Sequence, residues 1–153
     1  MTLWIDADAC PKPIRDIISR AAIRCQQLAV FVANHPIPLV RSPFLQFYQV
    51  PAGFDRADNE IVLRCQAKDC VVSNDIILAQ QVLNKHASIW LISPYGQRLD
   101  SNNIQQRLAM RNLMQSLRDD YGIQSGGQAT FSQHNSQAFA QQLDRYLQQT
   151  VTA

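Results

Sequence analysis

The stretch Leu3-Trp-Ile-Asp-Ala-Asp8 decides the expected fold, because a short apolar strand ends abruptly in acidic residues. Pro11 and Pro13 follow, and proline is tolerated in the first turn of a helix. That helix would run to about Cys25. The next stretch, 28–33, is continuously apolar, which is typical of a strand buried on both faces. The chain is therefore predicted to open with a β-α-β unit.

Strand and helix signals continue to alternate along the chain. Further strands are predicted at 44–50, 70–73 and 88–92, and further helices at 55–66, 75–85, 102–120 and from Ser132 to about Gln149. The prolines within 34–43 indicate a loop, and Pro94-Tyr-Gly96 indicates a turn. This order predicts an α/β fold in which a parallel sheet carries helices on both faces. Ligands of such sheets bind at the carboxyl ends of the strands.

Length and composition narrow the class of protein. The 153 residues have the size of one ordinary domain, and 46% hydrophobic with 17% charged residues is a globular composition. The longest clean apolar run, 28–33, is far shorter than the roughly twenty residues of a membrane-spanning helix. Acid near the start of the chain is also unlike an export signal. We therefore expect a cytoplasmic protein with no membrane segment.

The cysteines and histidines show no metal-binding pattern. No pair of cysteines has the Cys-x-x-Cys spacing of a zinc site, and no histidine lies at ligand spacing from them. Cys25 and Cys65 are predicted to be small core residues. Cys10 lies near a predicted helix start, where the pKa of a thiol tends to fall, so a nucleophilic Cys10 is a less favoured alternative. The histidines are predicted to be solvated: His35, His86 and His134.

Acidic residues follow two of the predicted strands. Asp6 and Asp8 come directly after the first strand, and Asp75 follows the strand at 70–73. Parallel central strands would bring these carboxylates to one edge of the sheet. Asp58, and Asp55 beside it, lie on the sheet-facing side of the helix predicted at 55–66. For Asp55 alone, capping of the helix is the favoured interpretation.

A cluster of carboxylates needs a physical reason, because like charges brought close together repel unless a cation lies between them. Hard oxygen ligands without histidine or cysteine suit Mg²⁺ or Mn²⁺. Such an ion binds phosphate oxygens or activates an attacking water. We therefore favour a metal site over the alternative, a purely structural hydrogen-bond network.

Basic residues form two local clusters, although a net charge of +2 does not by itself indicate nucleic acid. On the helix predicted at 102–120, three arginines share a stripe that could meet phosphate, or simply cover the core with their stems. They are Arg107, Arg111 and Arg118. A second patch near the acids consists of Lys12, Arg15 and Arg20. The segment Ser125-Gly126-Gly127 could present amides to an anion or form a turn.

At these residues the sequence closely resembles the bacterial YaiI/YqxD proteins, the uncharacterised family UPF0178 or DUF188, which is related to PIN-like nuclease domains. The matching segments are Ile5-Asp-Ala-Asp-Ala-Cys-Pro11, Val50-Pro-Ala-Gly-Phe-Asp55, Ala57-Asp-Asn-Glu-Ile-Val62, Asp75-Ile-Ile-Leu-Ala79, Arg107-Leu-Ala-Met-Arg111 and Gly122-Ile-Gln-Ser-Gly-Gly127. The resemblance implies a single three-layer PIN-like domain over 1–153, with about five strands in the order 3-2-1-4-5. It also implies a C-terminal helical extension from about 102.

The resemblance further implies a nuclease of the PIN-like type, acting on RNA with Mg²⁺ or Mn²⁺ as cofactor. Asp6, Asp58 and Asp75 would then be catalytic, and the metal ligands would be these three and Asp8, with Asp55 as an accessory. The basic residues predicted to contact the substrate, from their clusters rather than from the resemblance, are Lys12, Arg15, Arg107 and Arg111. Asn74 and Ile76 depart from the residues that often flank Asp75 in the family, and no second acid follows Asp75 closely.

Two other functions fit parts of the pattern. An apolar strand followed by Asp-x-Asp also opens the haloacid-dehalogenase phosphatases, and Ser73 fits their second motif. Their late acidic pair has only Asp119-Asp120 as a candidate, at the end of a predicted helix, so this alternative is less favoured. The third interpretation is a non-catalytic module that binds RNA or a nucleotide.

Overall fold

A six-stranded sheet in the order β3-β2-β1-β4-β5-β6 forms the centre of the computed structural model, which describes residues 1–53, 56–121 and 132–152. Strands β1 to β5 pair in parallel, and β6 runs antiparallel to β5. The strands are β1 (Leu3–Asp6), β2 (Ala29–Ala33), β3 (Leu45–Gln49), β4 (Cys70–Val72), β5 (Trp90–Ile92) and β6 (Arg98–Leu99). This topology confirms the predicted α/β class and the order of the first five strands.

Helices cover both faces of the sheet. The α-helices are α1 (Lys12–Cys25), α2 (Arg56–Arg64), α3 (Ile76–Lys85), α4 (Ile104–Tyr121) and α5 (Gln133–Thr152), and a single 3-10 turn (Ala7–Ala9) follows β1. Alternate residues of a strand point to opposite faces, so Ile5 and Phe31 pack with α1 and α5 while Val30 and Val32 pack with α2 and α3. Every residue of β2 is buried, as its continuous apolar sequence predicts.

The sixth strand is the main departure from the expected sheet of about five strands. Strand β6 is only two residues long, and two residues are too few to show a strand periodicity. It returns from β5 through a turn in which the Ser93 hydroxyl accepts hydrogen bonds from the amides of Tyr95 and Gln97. Gly96 has a φ of +89°, and an added Cβ would lie 2.4 Å from the Ala138 Cβ, so the turn packs directly on α5.

The C-terminal helix α5 supplies a large part of the core. Phe139 and Leu143 are fully buried against α1 and the sheet, and the Tyr146 hydroxyl donates to the carbonyl of Lys68. Ser132 caps this helix as predicted, since its hydroxyl accepts from the amide of Asn135. In the part of the chain that the structure describes, no helix has the length and hydropathy to cross a membrane.

The less favoured alternative, a nucleophilic Cys10, receives no support from the structure. Burial raises the pKa of the Cys10 thiol to about 12, so its place before α1 does not activate it. The apolar side chains of Met110 and Leu113 on α4 are 58% and 54% exposed. The reason is that α4 packs mainly on α3, and of its side chains from 104 to 119 only that of Ile104 is buried.

The ammonium of Lys85 joins α2 to α3. Its Nζ donates to the carbonyls of Val62, Leu63 and Cys65, at 2.6, 2.9 and 3.0 Å. These carbonyls belong to the C-terminal end of α2, where a helix leaves acceptors unpaired and favours a positive charge. One cation thus fixes the two helices relative to each other.

We predict that Lys85→Met lowers the free energy of unfolding by about 1–2 kcal/mol, because three helix-end carbonyls lose a charged donor. Chemical denaturation measures this change. The matched control is Lys68→Met, since Lys68 contributes to the described contacts only through its backbone. Equal stability of the two variants would contradict the prediction.

Candidate active site

Two acidic residues lie at the carboxyl ends of neighbouring central strands. Asp6 is the last residue of β1, and Asp75 lies three residues beyond the end of β4. The strands are parallel, with Ile5 opposite Val72, so the continuation of β4 brings Ser73 beside Asp6. This edge of the sheet is where ligands of open α/β sheets bind.

The hydroxyl of Ser73 connects the two strand ends. It donates to the Asp6 Oδ2 at 3.1 Å and accepts from the amide of Asp75 at 3.0 Å. Because a hydroxyl has one proton, the bond from the Asp75 amide leaves that proton for Asp6. Ser73 is 1% exposed and thereby fixes the orientation of the Asp6 carboxyl. The sequence pattern places Ser73 only in a phosphatase motif and does not indicate this role.

Asp6 is held in an unfavourable electrostatic position. Burial raises the pKa of this carboxyl from 3.8 to about 6, and the charges of Asp8 and Asp75 add to the increase. Hydrogen bonds with Ser73 and Asp58 act in the opposite direction. The shift shows that three of the other predicted site residues stand close enough to influence Asp6.

Asp8 is held by the loop that follows β2. Its Oδ2 accepts from the amide of Asn34 at 2.9 Å, and its Oδ1 lies 2.7 Å from the Nδ1 of His35. His35 is exposed to solvent as predicted, but its contact with Asp8 is one that the sequence did not indicate. No spacing in the sequence joins positions 8 and 35, because the contact arises from the pairing of β1 with β2.

Asp75 forms the N-cap of α3. Its Oδ1 accepts from the amides of Ile77 and Leu78, at 2.9 and 3.3 Å. These bonds satisfy two of the free amides of the first helical turn. Asp75 thus has a structural role in addition to its place beside the other acids.

Asp58 lies between two adjoining cavities. The first, which we call the acidic cleft, has a volume of about 240 Å³ and is lined by Asp6, Asp8, Asp58 and Arg56 among others. The second has a volume of about 120 Å³, and Asp58, Asp75 and Arg111 contribute to its walls. Since Asp58 lines both, the four predicted carboxylates line two cavities that share this residue.

A complete metal cage is not preformed here. Within 1–53, 56–121 and 132–152, no group of three or more Asp, Glu, His or Cys side chains is arranged to hold a metal ion. Mg²⁺ usually keeps several waters and binds through one or two carboxylates plus substrate phosphates, so such a cage is not required. Asp55 and the segment Ser125-Gly126-Gly127 lie outside the described residues.

The basic residues predicted to meet substrate occupy different places. Arg111 shares the second cavity with Asp58 and Asp75, whereas Arg107 of the same helix donates to the Gln97 side chain at 2.6 Å. Arg118 lies two turns beyond Arg111 and donates to Gln115. Lys12, Arg15 and Arg20 line a separate cavity on α1.

Fold and site together define an α/β protein with a mostly parallel sheet and a carboxylate-lined edge. The family model DUF188, described as an uncharacterised bacterial YaiI/YqxD family, matches residues 4–149. The chain therefore belongs to this family.

Relatives cover the chain along its whole length. A UPF0178 protein of Marinobacter nauticus is 49% identical and covers 99% of both chains. UPF0178 protein YaiI of Escherichia coli is 46% identical over 95% of this chain and 93% of its own, and protein YE1167 of Yersinia enterocolitica is 43% identical over 100% and 99%. No solved structure matches the chain.

Replacing Asp6 with asparagine tests the cost of burying this carboxyl. A folded pKa of about 6 against an ordinary 3.8 favours the folded state at low pH, and this contribution is lost as the pH rises through 6. In a chelating buffer, the free energy of unfolding of Asp6→Asn should therefore rise relative to that of the native protein between about pH 4 and 7. The expected change is on the order of 3 kcal/mol, measured by urea denaturation.

The contrasting variant is Asp69→Asn at the opposite end of β4. The Asp69 carboxylate is buried and accepts from the Thr2 and Gln66 amides and the Trp4 indole. Asparagine would place a donor against these donors, so this variant should be destabilised at neutral pH. A stability difference for Asp6→Asn that is independent of pH would contradict the prediction for Asp6.

Proposed function

We propose that this protein is a divalent-metal-dependent phosphodiesterase that cleaves RNA. The observation that carries the proposal is the acidic cleft, where Asp6, Asp8 and Asp58 share one cavity at the carboxyl ends of central parallel strands. Helix capping explains why position 75 is an aspartate. It does not explain Asp6, whose carboxyl is buried close to other acids at a cost in stability. Such an arrangement is typical of a functional site.

The donor set fits Mg²⁺ or Mn²⁺, because these hard cations prefer carboxylate oxygens. Asp6 and Asp58 would hold the ion, with Asp8 in the same cavity and Asp75 in the cavity that shares Asp58. When bound, the metal would polarise the phosphate and activate an attacking water. Ser73 would keep the Asp6 carboxyl in position through its hydrogen bond.

Arg111 would face the substrate phosphate next to the acids. It lines the same cavity as Asp58 and Asp75, and a guanidinium group binds two phosphate oxygens at once. The cluster of negative charge would otherwise repel a nucleic acid backbone, so a cation at this place has a clear electrostatic function.

The phosphatase alternative receives less support. It needs a late acidic pair near Asp6, and Asp119 lies on α4 about two turns beyond Arg111, where its carboxylate accepts from Gln115. The bond between Ser73 and Asp6 is its one favourable feature. A phosphatase of that type forms a covalent aspartyl-phosphate, which the proposed nuclease does not.

The first test measures cleavage of single-stranded RNA with Mg²⁺, with Mn²⁺ and with chelator. Native protein should cleave RNA only when metal is present. The Asp6→Asn variant should be at least about 100-fold slower, because loss of a metal ligand should reduce activity at least as much as loss of a residue that only orients a ligand. Asp119→Asn is the matched control and should retain full activity, whereas a phosphatase of the alternative type would need Asp119.

Two results would overturn the proposal. Metal binding without cleavage of RNA would show that RNA is the wrong substrate. Absence of metal binding, measured by calorimetry on the native protein, would show that the acids form a structural network.

Arg111→Ala should raise KM for RNA about five- to tenfold and change kcat less, because the guanidinium contacts the phosphate rather than the reacting water. Arg118→Ala carries the same loss of charge on the same helix and should leave KM unchanged. Equal effects of both variants would indicate only a general loss of positive charge.

A further inference from the structure

A third cavity lies along α1, the helix that follows the 3-10 turn. We call it the basic cleft. It has a volume of about 310 Å³, and its walls include Lys12, Arg15 and Arg20 of α1 and the segment 38–40. Its size is within the range of small-ligand sites. The sequence predicts substrate contacts at Lys12 and Arg15, but the proposed cleavage of the phosphodiester bond needs none of the residues that line this cavity.

The charges of the basic cleft favour an anion. Lys12 pairs with Asp16 at 3.3 Å, and this exposed pair contributes little to stability. Arg15 donates to the carbonyl of Cys10 at 3.4 Å, which leaves its positive charge uncompensated. Among the described residues no ion pair involves Arg20. The charged residues that line the cavity are therefore three cations and one acid, which gives this wall a net positive charge.

The opposite wall of the basic cleft is apolar. Pro38, Leu39 and Val40 form it, and Val40 is 68% exposed. A nucleotide combines the same two properties, since its phosphate is anionic and its base presents flat faces of low polarity. Inorganic phosphate would use only the charged wall.

Two short segments join the basic cleft to the acidic cleft. Ala9 lines the acidic cleft and Lys12 the basic one, and the same holds for Asn34 and Pro38. A strand of RNA lying across these segments would reach both cavities. Lys12 and Arg20 are about 12 Å apart along the axis of α1, so the cleft extends well beyond one phosphate.

We infer that the basic cleft binds a nucleotide of the RNA substrate that flanks the cleaved bond, with Arg15 and Arg20 on its phosphate and Leu39 and Val40 against its base or sugar. This inference rests on the proposed function for the identity of the substrate. The protein would then contact several nucleotides of its substrate at once, so RNA too short to span both cavities should bind weakly.

The test measures binding of labelled single-stranded RNA in chelating buffer, where no cleavage occurs. A dodecamer and a dinucleotide are compared on native protein and on Arg20→Ala. The variant should bind the dodecamer about five- to tenfold more weakly. The slope of the logarithm of the binding constant against the logarithm of the salt concentration should be less steep by about 0.7, because one phosphate contact is lost. Its affinity for the dinucleotide should not change.

Arg24→Ala is the matched control, one turn along the same helix and outside the cavity, where Arg24 pairs with Asp144. It should bind both oligonucleotides like native protein. Val40→Glu is a second variant that places a negative charge at the exposed rim without touching the core. It should weaken binding of the dodecamer as Arg20→Ala does.

Equal losses in Arg20→Ala and Arg24→Ala, or none in Arg20→Ala and Val40→Glu, would overturn the inference. Equal weakening for the dinucleotide would also overturn it, since the cleft would then hold a free nucleotide rather than a flanking one. If native protein binds the dodecamer through Arg20 but never cleaves RNA, the proposed function fails and the basic cleft stands. If native protein cleaves RNA and neither Arg20→Ala nor Val40→Glu changes binding, the proposed function stands and the basic cleft inference fails.

Discussion

The parallel pairing of β1 with both β2 and β4 is the constraint on which the rest of the structure depends. Leu3 and Ile5 of β1 have no exposed surface, so the register of the strand cannot slip without exposing its core face. That register puts Asp6 at the carboxyl edge, brings Ser73 beside it and brings the loop after β2 to Asp8. Both the candidate site and the folded core therefore follow from one set of hydrogen bonds.

Asp6 shows how this arrangement sets stability against function. A carboxyl that is 7% exposed and close to other acids destabilises the folded state when it is ionised. The bond from Ser73 reduces this cost without removing it. Asp69, at the other end of the sheet, is also buried, but three donors satisfy it and it lies in no described cleft. The buried acid at one edge of the sheet, Asp69, is stabilised by its hydrogen bonds. The buried acid at the other edge, Asp6, lowers the stability of the folded state when it is ionised.

Most of the fold was predictable from local sequence because its signals are local. Apolar runs, proline-rich loops and the Ser132 cap placed five strands and five helices in the correct order. Strand β6 could not be found, because it exists only through its pairing with β5 and the packing of Gly96 on α5. The exposure of Met110 on α4 was also unpredictable, since an amphipathic pattern does not say whether a partner surface is present.

The sequence by itself determined which acids end strands and begin helices, because strand ends and helix caps are set by neighbouring residues. Only the tertiary structure decided how these acids are held. The bond from Ser73 to Asp6 and the contact of His35 with Asp8 join residues that no sequence periodicity relates. The same is true of Arg111, which reaches the cavity of Asp75 while the neighbouring Arg107 does not. Such contacts depend on how separate elements pack, and packing is a property of the whole chain.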